Sequence, residues 1–405
     1  MRTNADAPLL LFFASRGIGG GEAYFINLGL SALKAGRRCV VVDYSDGYVI
    51  TRLPGVEHVH YSDEAGGEFF GDCVAFMPLG AVTFLGNKLR LSPEAKVLLV
   101  SIHHHHAIEL GNFGWLLRKL SPRVAGLAWP LLEPLRYRTV RRFFKGICRL
   151  KGLVYCAPFQ RDFDEAYLRT KLDAEIVPIP LSKSLSVSPD VARHGEAIVW
   201  VSRFAKEKAD IIDEIIVAIR GCERRHRLIL IGEGPELERL KISAAKAGIE
   251  VEMPGVIAGP ELAHYLQIHA LICIGVGTAA AEMAFAGLPT LVAGLPGTFP
   301  GRYLWFHDAN PGDTILTGSS SGSAITLSTA LALASREAMH HQLAASCVDA
   351  ASRRHDIDRS WASLAVSLAE TSLEVRNLVG LVKMNQQPYR FVRRFKTKIR
   401  SMIGL

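Results

Sequence analysis

Arg203 and Lys208 stand five positions apart, directly after the apolar run AIVWVSR in the second half of the chain. In a strand-to-helix loop, two cations at that spacing reach the same diphosphate, although ordinary solvated surface charge has the same appearance. Farther on, the segment CIGVGTAAAEMAFAGLPTLVAG (273–294) sets Gly275 and Gly277 before a helix start, where free backbone amides favour phosphate. Glu282 follows in an Ala-rich run with few other polar groups. A carboxylate in such surroundings needs a partner, and a ribose diol offers two hydroxyl donors. Near the N-terminus, SRGIGGGEAYFINL (15–28) places Gly19, Gly20 and Gly21 between a strand and its helix. Glycines there let the backbone approach a ligand, but such turns also occur without one.

Other chemistries compete for some of these residues. Gly17 and Gly19 fit the first two positions of G-x-G-x-x-G, and Asp43 ends the second strand where an acid binds a ribose, but Glu22 occupies the third glycine position. Tyr167 and Lys171 form a Y-x-x-x-K pair of the short-chain dehydrogenase type, a spacing with a high chance rate. Asp162–Asp164 and Asp356–Asp358 read as D-x-D, though both sit in helical or capping contexts. His103 to His106 end an apolar run; four consecutive residues of one strand alternate in direction, so two at most share a face. Adjacent residues also make poor geometry for a tetrahedral metal site, and no metal is expected.

These residues need a scaffold, and the pattern supplies one. Short apolar runs (LLLFFAS, RCVVVDYS, CVAFMPL, VLLVSIHHHH, GLVYCAP) alternate with helix-length amphipathic segments, the signature of a parallel sheet covered by helices. IVPIPLSKSLSVSPD (176–190) interrupts the alternation as a linker would. It then restarts with AIVWVSR, RLILIGEG, VEMPGVI, LICIGVG and PTLVAG. The reading is therefore two α/β domains, 1–185 and 186–372, followed by a tail at 373–405.

The 405 residues are enough for two cores, and 49% hydrophobic content suits a folded chain. Seven scattered cysteines without a CxxC pair read as reduced core residues of a cytoplasmic protein. The N-terminal apolar run Pro8–Ala14 is too short to span a membrane. The formal charge of +8 concentrates partly in YRFVRRFKTKIRSMIGL (389–405). There Arg390, Phe391, Arg393, Arg394, Phe395 and Lys398 belong to a basic amphipathic helix suited to an anionic membrane surface. The alternative is a solvated or packed helix. A second basic cluster, LRYRTVRRFFKGICRLK (135–151), interleaves Arg136, Arg138, Arg141, Arg142 and Lys145 with Tyr137, Phe143 and Phe144, and could be another membrane or lipid-phosphate contact. No signature of a nucleic-acid-binding module accompanies the charge.

Taken in order, the motifs over roughly 15–372 resemble the retaining GT-B glycosyltransferases of family 4. SRFAKEK is similar to the family's G-R-L-x-x-x-K loop, LILIGEGPELERL with VEMPGVI to its strand-GxGP-helix-strand-G segment, and GVGTAAAEMAFAGLP to its glutamate-bearing helix. GIGGGEAYFINL, CAPFQRDF and SWASLAVSL match at the corresponding places. The resemblance implies a GT-B fold, two Rossmann-like α/β domains facing across a cleft. It also implies a metal-independent, cofactor-free enzyme moving a sugar from a UDP- or GDP-sugar donor to a glycan or lipid-linked acceptor, with retention, as a peripheral protein on the cytoplasmic face of the plasma membrane. By that resemblance Arg203 and Lys208 neutralise the donor diphosphate, Gly275, Gly277 and Thr278 assist, and Glu282 holds the ribose. The base lies against Gly255 and Val256, and Gly20 and Gly21 close over the donor. His103 and His104 match the family's histidine position and are the candidate catalytic residues.

Two departures qualify this. The family's E-x7-E pair would put its first glutamate at Ile274, and its D-x-x-H-x-H strand end reads Asp72, Ala75 and Met77. They leave open a second reading, a non-catalytic GT-B subunit that binds nucleotide or glycan beside a partner enzyme.

Overall fold

The computed structural model describes residues 7–17, 19–61, 69–70, 72–84, 90–103, 105–181, 195–222, 224–294, 301–309 and 324–378. The chain divides into two compact units. One comprises Met1–Gly17, Leu28–Pro178 and Trp361–Leu405, and the other Ile18–Asn27 and Ile179–Ser360.

The first unit contains β1 (Leu9–Phe12), β2 (Cys39–Asp43), β3 (Glu57–His60), β4 (Phe69–Phe70), β5 (Val74–Pro78), β6 (Arg90–Leu91), β7 (Lys96–Ser101), β8 (Leu153–Tyr155) and β9 (Glu175–Ile176). Seven of them form a sheet in the order β3-β2-β1-β5-β7-β8-β9, parallel throughout, while β4 and β6 pair separately. The inner strands are continuous apolar runs because helices cover both faces of a parallel sheet. Leu9, Val41, Phe76 and Leu98 are accordingly buried.

The second unit contains β10 (Ala197–Val201), β11 (Leu228–Ile231), β12 (Val251–Gly255), β13 (Ala270–Gly275), β14 (Thr290–Val292), β15 (Arg302–Trp305) and β16 (Ile325–Thr326). Their order is β12-β11-β10-β13-β14-β15-β16. The strands from β10 to β14 run parallel, and β15 and β16 are added antiparallel. The two α/β sheets expected from the alternation are thus both present. Among the strands missed in the reading, β3, β9 and β16 are short edge strands, where half-exposed residues blur the apolar signal; β15, between β14 and β16, and the separate pair β4 and β6 are only two to four residues long.

The expected linker falls mostly outside the described residues. After helix Ile357–Glu370 the chain reaches the first unit's core, where Leu373, Val375 and Leu378 are buried and Thr371 Oγ1 donates to Val97 O at 2.9 Å. All seven cysteines are free thiols, six of them buried, and burial pushes Cys39 and Cys148 up to about 12, so they pack as small apolar groups. No helix of the described residues is long and apolar enough to cross a membrane.

Candidate functional site

In the second unit β10 lies between β11 and β13. The chain builds outward on one flank through β11 and β12, then returns to start the other flank with β13. Loops leaving adjacent strands in opposite directions open a crevice at the strands' carboxyl ends, the usual ligand position in open α/β sheets. The loop after β10 carries Arg203, and Lys208 lies in the first turn of helix Lys206–Arg220. β13 ends on Gly275, and the short loop after it carries Gly277 and leads into helix Thr278–Phe285, which bears Glu282. Six residues selected from the sequence thus sit at one end of two neighbouring strands.

The Arg203 loop is fixed by its neighbours. Trp200 Nε1 donates to Ser202 Oγ at 2.6 Å, Ser202 N to Ile231 O at 3.1 Å, and Phe204 N to Glu233 O at 2.8 Å. The Phe204 ring is fully buried. Gly232 (φ +136°) and Gly234 (φ +151°) let the β11 loop press against this backbone. A side chain on Gly232 would overlap Ser202 O, and one on Gly234 would come within 2.6 Å of Phe204 O. Gly232 N also donates to Gly255 O at 2.8 Å, tying in the turn that presents exposed Val256. The Gly-Glu-Gly-Pro segment is visible in the sequence. Its work as a clamp on the Arg203 loop is not, because the contact is made with carbonyls distant in sequence.

Gly275 and Gly277 are glycines for different reasons. A Cβ on Gly275 would meet Met283 Cε at 2.5 Å and the Ala280 backbone at 3.2 Å, so its requirement is close packing of helix on strand. Gly277 has open space around it but φ +66°, ψ −145°, a backbone conformation that strains any L side chain. Gly20 and Gly21 begin helix Gly20–Lys34, whose first turns group with the second unit; a methyl on Gly20 would overlap Thr278 Oγ1.

Charge completes the picture. Glu282 is partly buried and has no hydrogen-bond or ion-pair partner among the described residues, and desolvation alone pushes its carboxyl up to about 7. Burial likewise holds the Lys208 ammonium below its ordinary value; Glu207 opposes that and the like charge of Arg203 adds to it. Neither Arg203 nor Lys208 makes an ion pair among the described residues. A carboxylate and two cations without partners can take hydroxyl donors and anionic oxygens, respectively.

The first unit treats its candidates differently. Asp43 accepts from the backbone amides of Ser15, Tyr44, Val49 and Ile50 at 2.8–3.2 Å and is fully buried, which leaves it nothing for a ribose. The histidines do not continue a strand, as the reading supposed: β7 stops at Ser101, and His105 precedes the helical turn His106–Glu109. Backbone turning, rather than strand alternation, therefore sets their directions. His103 is exposed near Glu109, with Nδ1 to Oε1 at 3.9 Å; His104 lies outside the described residues. His105 Nδ1 meets Tyr167 OH, and His106 Nδ1 meets Ser101 Oγ, each at 3.0 Å, and burial pulls these rings down to about 4 and 3. Asp164 of the D-x-D pair is bound by Tyr155 OH (3.0 Å) and Ala107 N (3.3 Å), and burial raises it to about 8. Among the described residues no cluster of three metal-ligating side chains exists.

Ile274 is fully buried within β13, paired with Trp200 and Leu291, and its side chain offers no polar group to a ligand. In the 135–151 cluster Tyr137, Phe143 and Phe144 point into the first unit's core, which corrects their expected role as lipid-facing rings. Tail residues Arg390, Phe391, Arg393, Arg394, Phe395 and Lys398 lie outside the described residues.

No protein-family model matches the sequence, and no curated protein matches it. Solved structures do. Anabaena HepE, determined with UDP and glucose, aligns over 90% of this chain and 99% of its own at a TM-score of 0.61 and 15% identity. A glycosyltransferase from Rickettsia africae aligns over 91% and 99% at 0.59 and 10%. WaaG, a glycosyltransferase involved in lipopolysaccharide biosynthesis, aligns over 88% and 98% at 0.53 and 14%. At these identities the likeness is one of fold, and the fold is GT-B: two Rossmann-like α/β units.

Proposed function

We propose that the chain is a glycosyltransferase whose second unit holds a UDP- or GDP-sugar at the carboxyl ends of β10 and β13. The observation that carries this reading is Glu282, a partly buried carboxylate with no partner among the described residues, on the helix that follows a positive-φ glycine. A ribose diol satisfies it, and Arg203 and Lys208 on the adjacent loop and helix balance the diphosphate. As the glycosidic bond breaks, charge develops on the leaving phosphate. Cations and helix amides already in place stabilise it without a bound metal, and transfer with retention needs no separate protein base. Thr278, Gly275 and Gly277 line the phosphate side, Gly255 and Val256 the base, with Gly20 and Gly21 beside Thr278; His103 and His104 serve the transferred sugar. The acceptor is a glycan or lipid-linked sugar, reached from the cytoplasmic membrane face with the basic tail as anchor.

Calorimetry against UDP, GDP, ADP and CMP tests the donor site. One nucleotide should bind selectively, and Arg203→Ala and Glu282→Ala should each weaken it by at least about thirtyfold, the loss of one charge-assisted hydrogen bond. Absence of binding by any nucleotide overturns the reading. The non-catalytic alternative is favoured by one observation, the burial of Ile274 where a sugar-contacting acid was expected. Sugar release from the selected donor, lost in Glu282→Ala, eliminates it.

A further inference from the structure

The first unit carries an apolar surface that its core does not use. Trp115, Leu127, Leu131 and Leu135 are 53%, 57%, 85% and 76% exposed. Their placement is regular. In helix Pro122–Leu132, Ala125, Gly126 and Trp129 are buried, and Gly126 sits so close to Ala166 O that a methyl there would overlap it. At 100° per residue, Val124, Leu127 and Leu131 then fall together on the opposite face. A helix that packs through one stripe ordinarily exposes a polar one on the other side; this one exposes branched aliphatics.

The next helix, Pro134–Arg149, exposes a stripe of another chemistry beginning at Leu135. It buries Tyr137, Val140, Phe144 and Ile147, and its outward positions after Leu135 read Arg138, Arg142, Lys145 and Arg149, spaced 4, 3 and 4 apart. None of these four makes an ion pair among the described residues. From 110 to 151 the sequence holds ten basic residues and one acid. That acid, Glu133, is buried and taken up by the amides of Asn112 and Phe113 and by Trp129 Nε1. The outer surface of these two helices thus carries large aliphatic groups and positive charge with no negative charge to oppose them.

We infer that this face docks flat on an anionic lipid bilayer, with Trp115, Leu127, Leu131 and Leu135 entering the acyl boundary and the Arg138–Arg149 stripe lying along the headgroups. Apolar side chains combined with uncompensated cations match that surface on both counts. The chain's own tail is a poor occupant, because residues 388–405 are themselves basic and contain no acid. A second copy would bring like charge against like. The inference deepens the membrane part of the proposed function by naming a face other than the tail, and it is independent of the donor site.

Co-sedimentation of the full chain with phosphatidylglycerol–phosphatidylcholine vesicles tests it, beside phosphatidylcholine alone. Binding should require the anionic lipid and should be accompanied by a blue shift of tryptophan emission that Trp115→Phe removes. Leu127→Ser with Leu131→Ser, and separately Arg142→Ser with Lys145→Ser, should each weaken binding at least about tenfold. These positions are exposed, so melting temperature and nucleotide binding should stay unchanged, which separates this result from any failure of the donor site. A variant with the tail's arginines and lysines changed to serine should retain the blue shift. Vesicle binding without a Trp115 shift, or binding lost only in the tail variant, overturns the inference. A change of oligomeric state in the leucine variant would reassign the face to a protein interface and overturn it equally.

Discussion

The two units hold their desolvated carboxyl groups under opposite conditions. Asp43 in the first unit sits among four backbone amides that would otherwise have no acceptor, so its negative charge organises the turn after β2. Asp164 in the same unit is held by Tyr155 and Ala107. Glu282 in the second unit has no such neighbours and is raised by burial to about 7. A carboxyl group whose oxygens have hydrogen-bond partners, ionised as in a cage of amides or protonated, belongs to the fold, whereas a desolvated one without partners costs the free protein stability that a ligand can return. Glu282, Arg203 and Lys208, none of which makes an ion pair among the described residues, mark the candidate site in the second unit.

The contrast is open to direct attack. Asp43→Ala should lower stability by about 4 kcal/mol, since several buried amides lose their acceptor together, and should leave nucleotide affinity unchanged. Denaturant melts and calorimetry on the same sample check both halves. A fall in affinity with stability intact would reverse the roles given to the two acids.

Glu282 should show the opposite pattern. Its folded-state value, about 7, lies above the ordinary glutamate value of 4.5, so the folded protein holds the proton more tightly. Its contribution to stability is therefore full below pH 4.5 and declines as pH rises through 7, by about 3 kcal/mol over that window. Glu282→Gln should remove this decline and make the ligand-free protein the more stable of the two at pH 8, while weakening nucleotide binding. Paired melts at pH 5 and pH 8 give the difference, and parallel pH profiles would mean that Glu282 has a partner.

Gly277→Ala should cost about 2 kcal/mol from its positive φ and weaken nucleotide binding as the helix start shifts. Gly36, also at positive φ with open space, should cost a similar amount without touching binding. The smallest effect sharpens the contrast from the other side. Arg239 pairs with Glu236, Asp213 and Asp210 on the surface of the second unit, and Arg239→Ala should change stability by about 0.5 kcal/mol, in a salt-dependent way, with affinity intact.

Much of the architecture was legible in the sequence because parallel strands buried on both faces must be nearly continuous apolar runs, and CVVVD, KVLLVS, AIVWV and LILI are such runs. The placement of Arg203 and Gly277 in loops after strands, with Lys208 and Glu282 on the helices that follow, was legible as well, because the apolar runs end just before them. Sequence alone could not separate Asp43 from Glu282: both are acids in apolar surroundings, and only the packing shows which has amides around it. Nor could it show that Phe143 and Phe144 face inward while Leu131 and Leu135 face out, because an apolar residue on a helix has no preferred side until a neighbouring element supplies one. The strand pattern follows from local chemistry; partnership follows from which distant atoms the fold brings within 3 Å, and that was decided by tertiary structure.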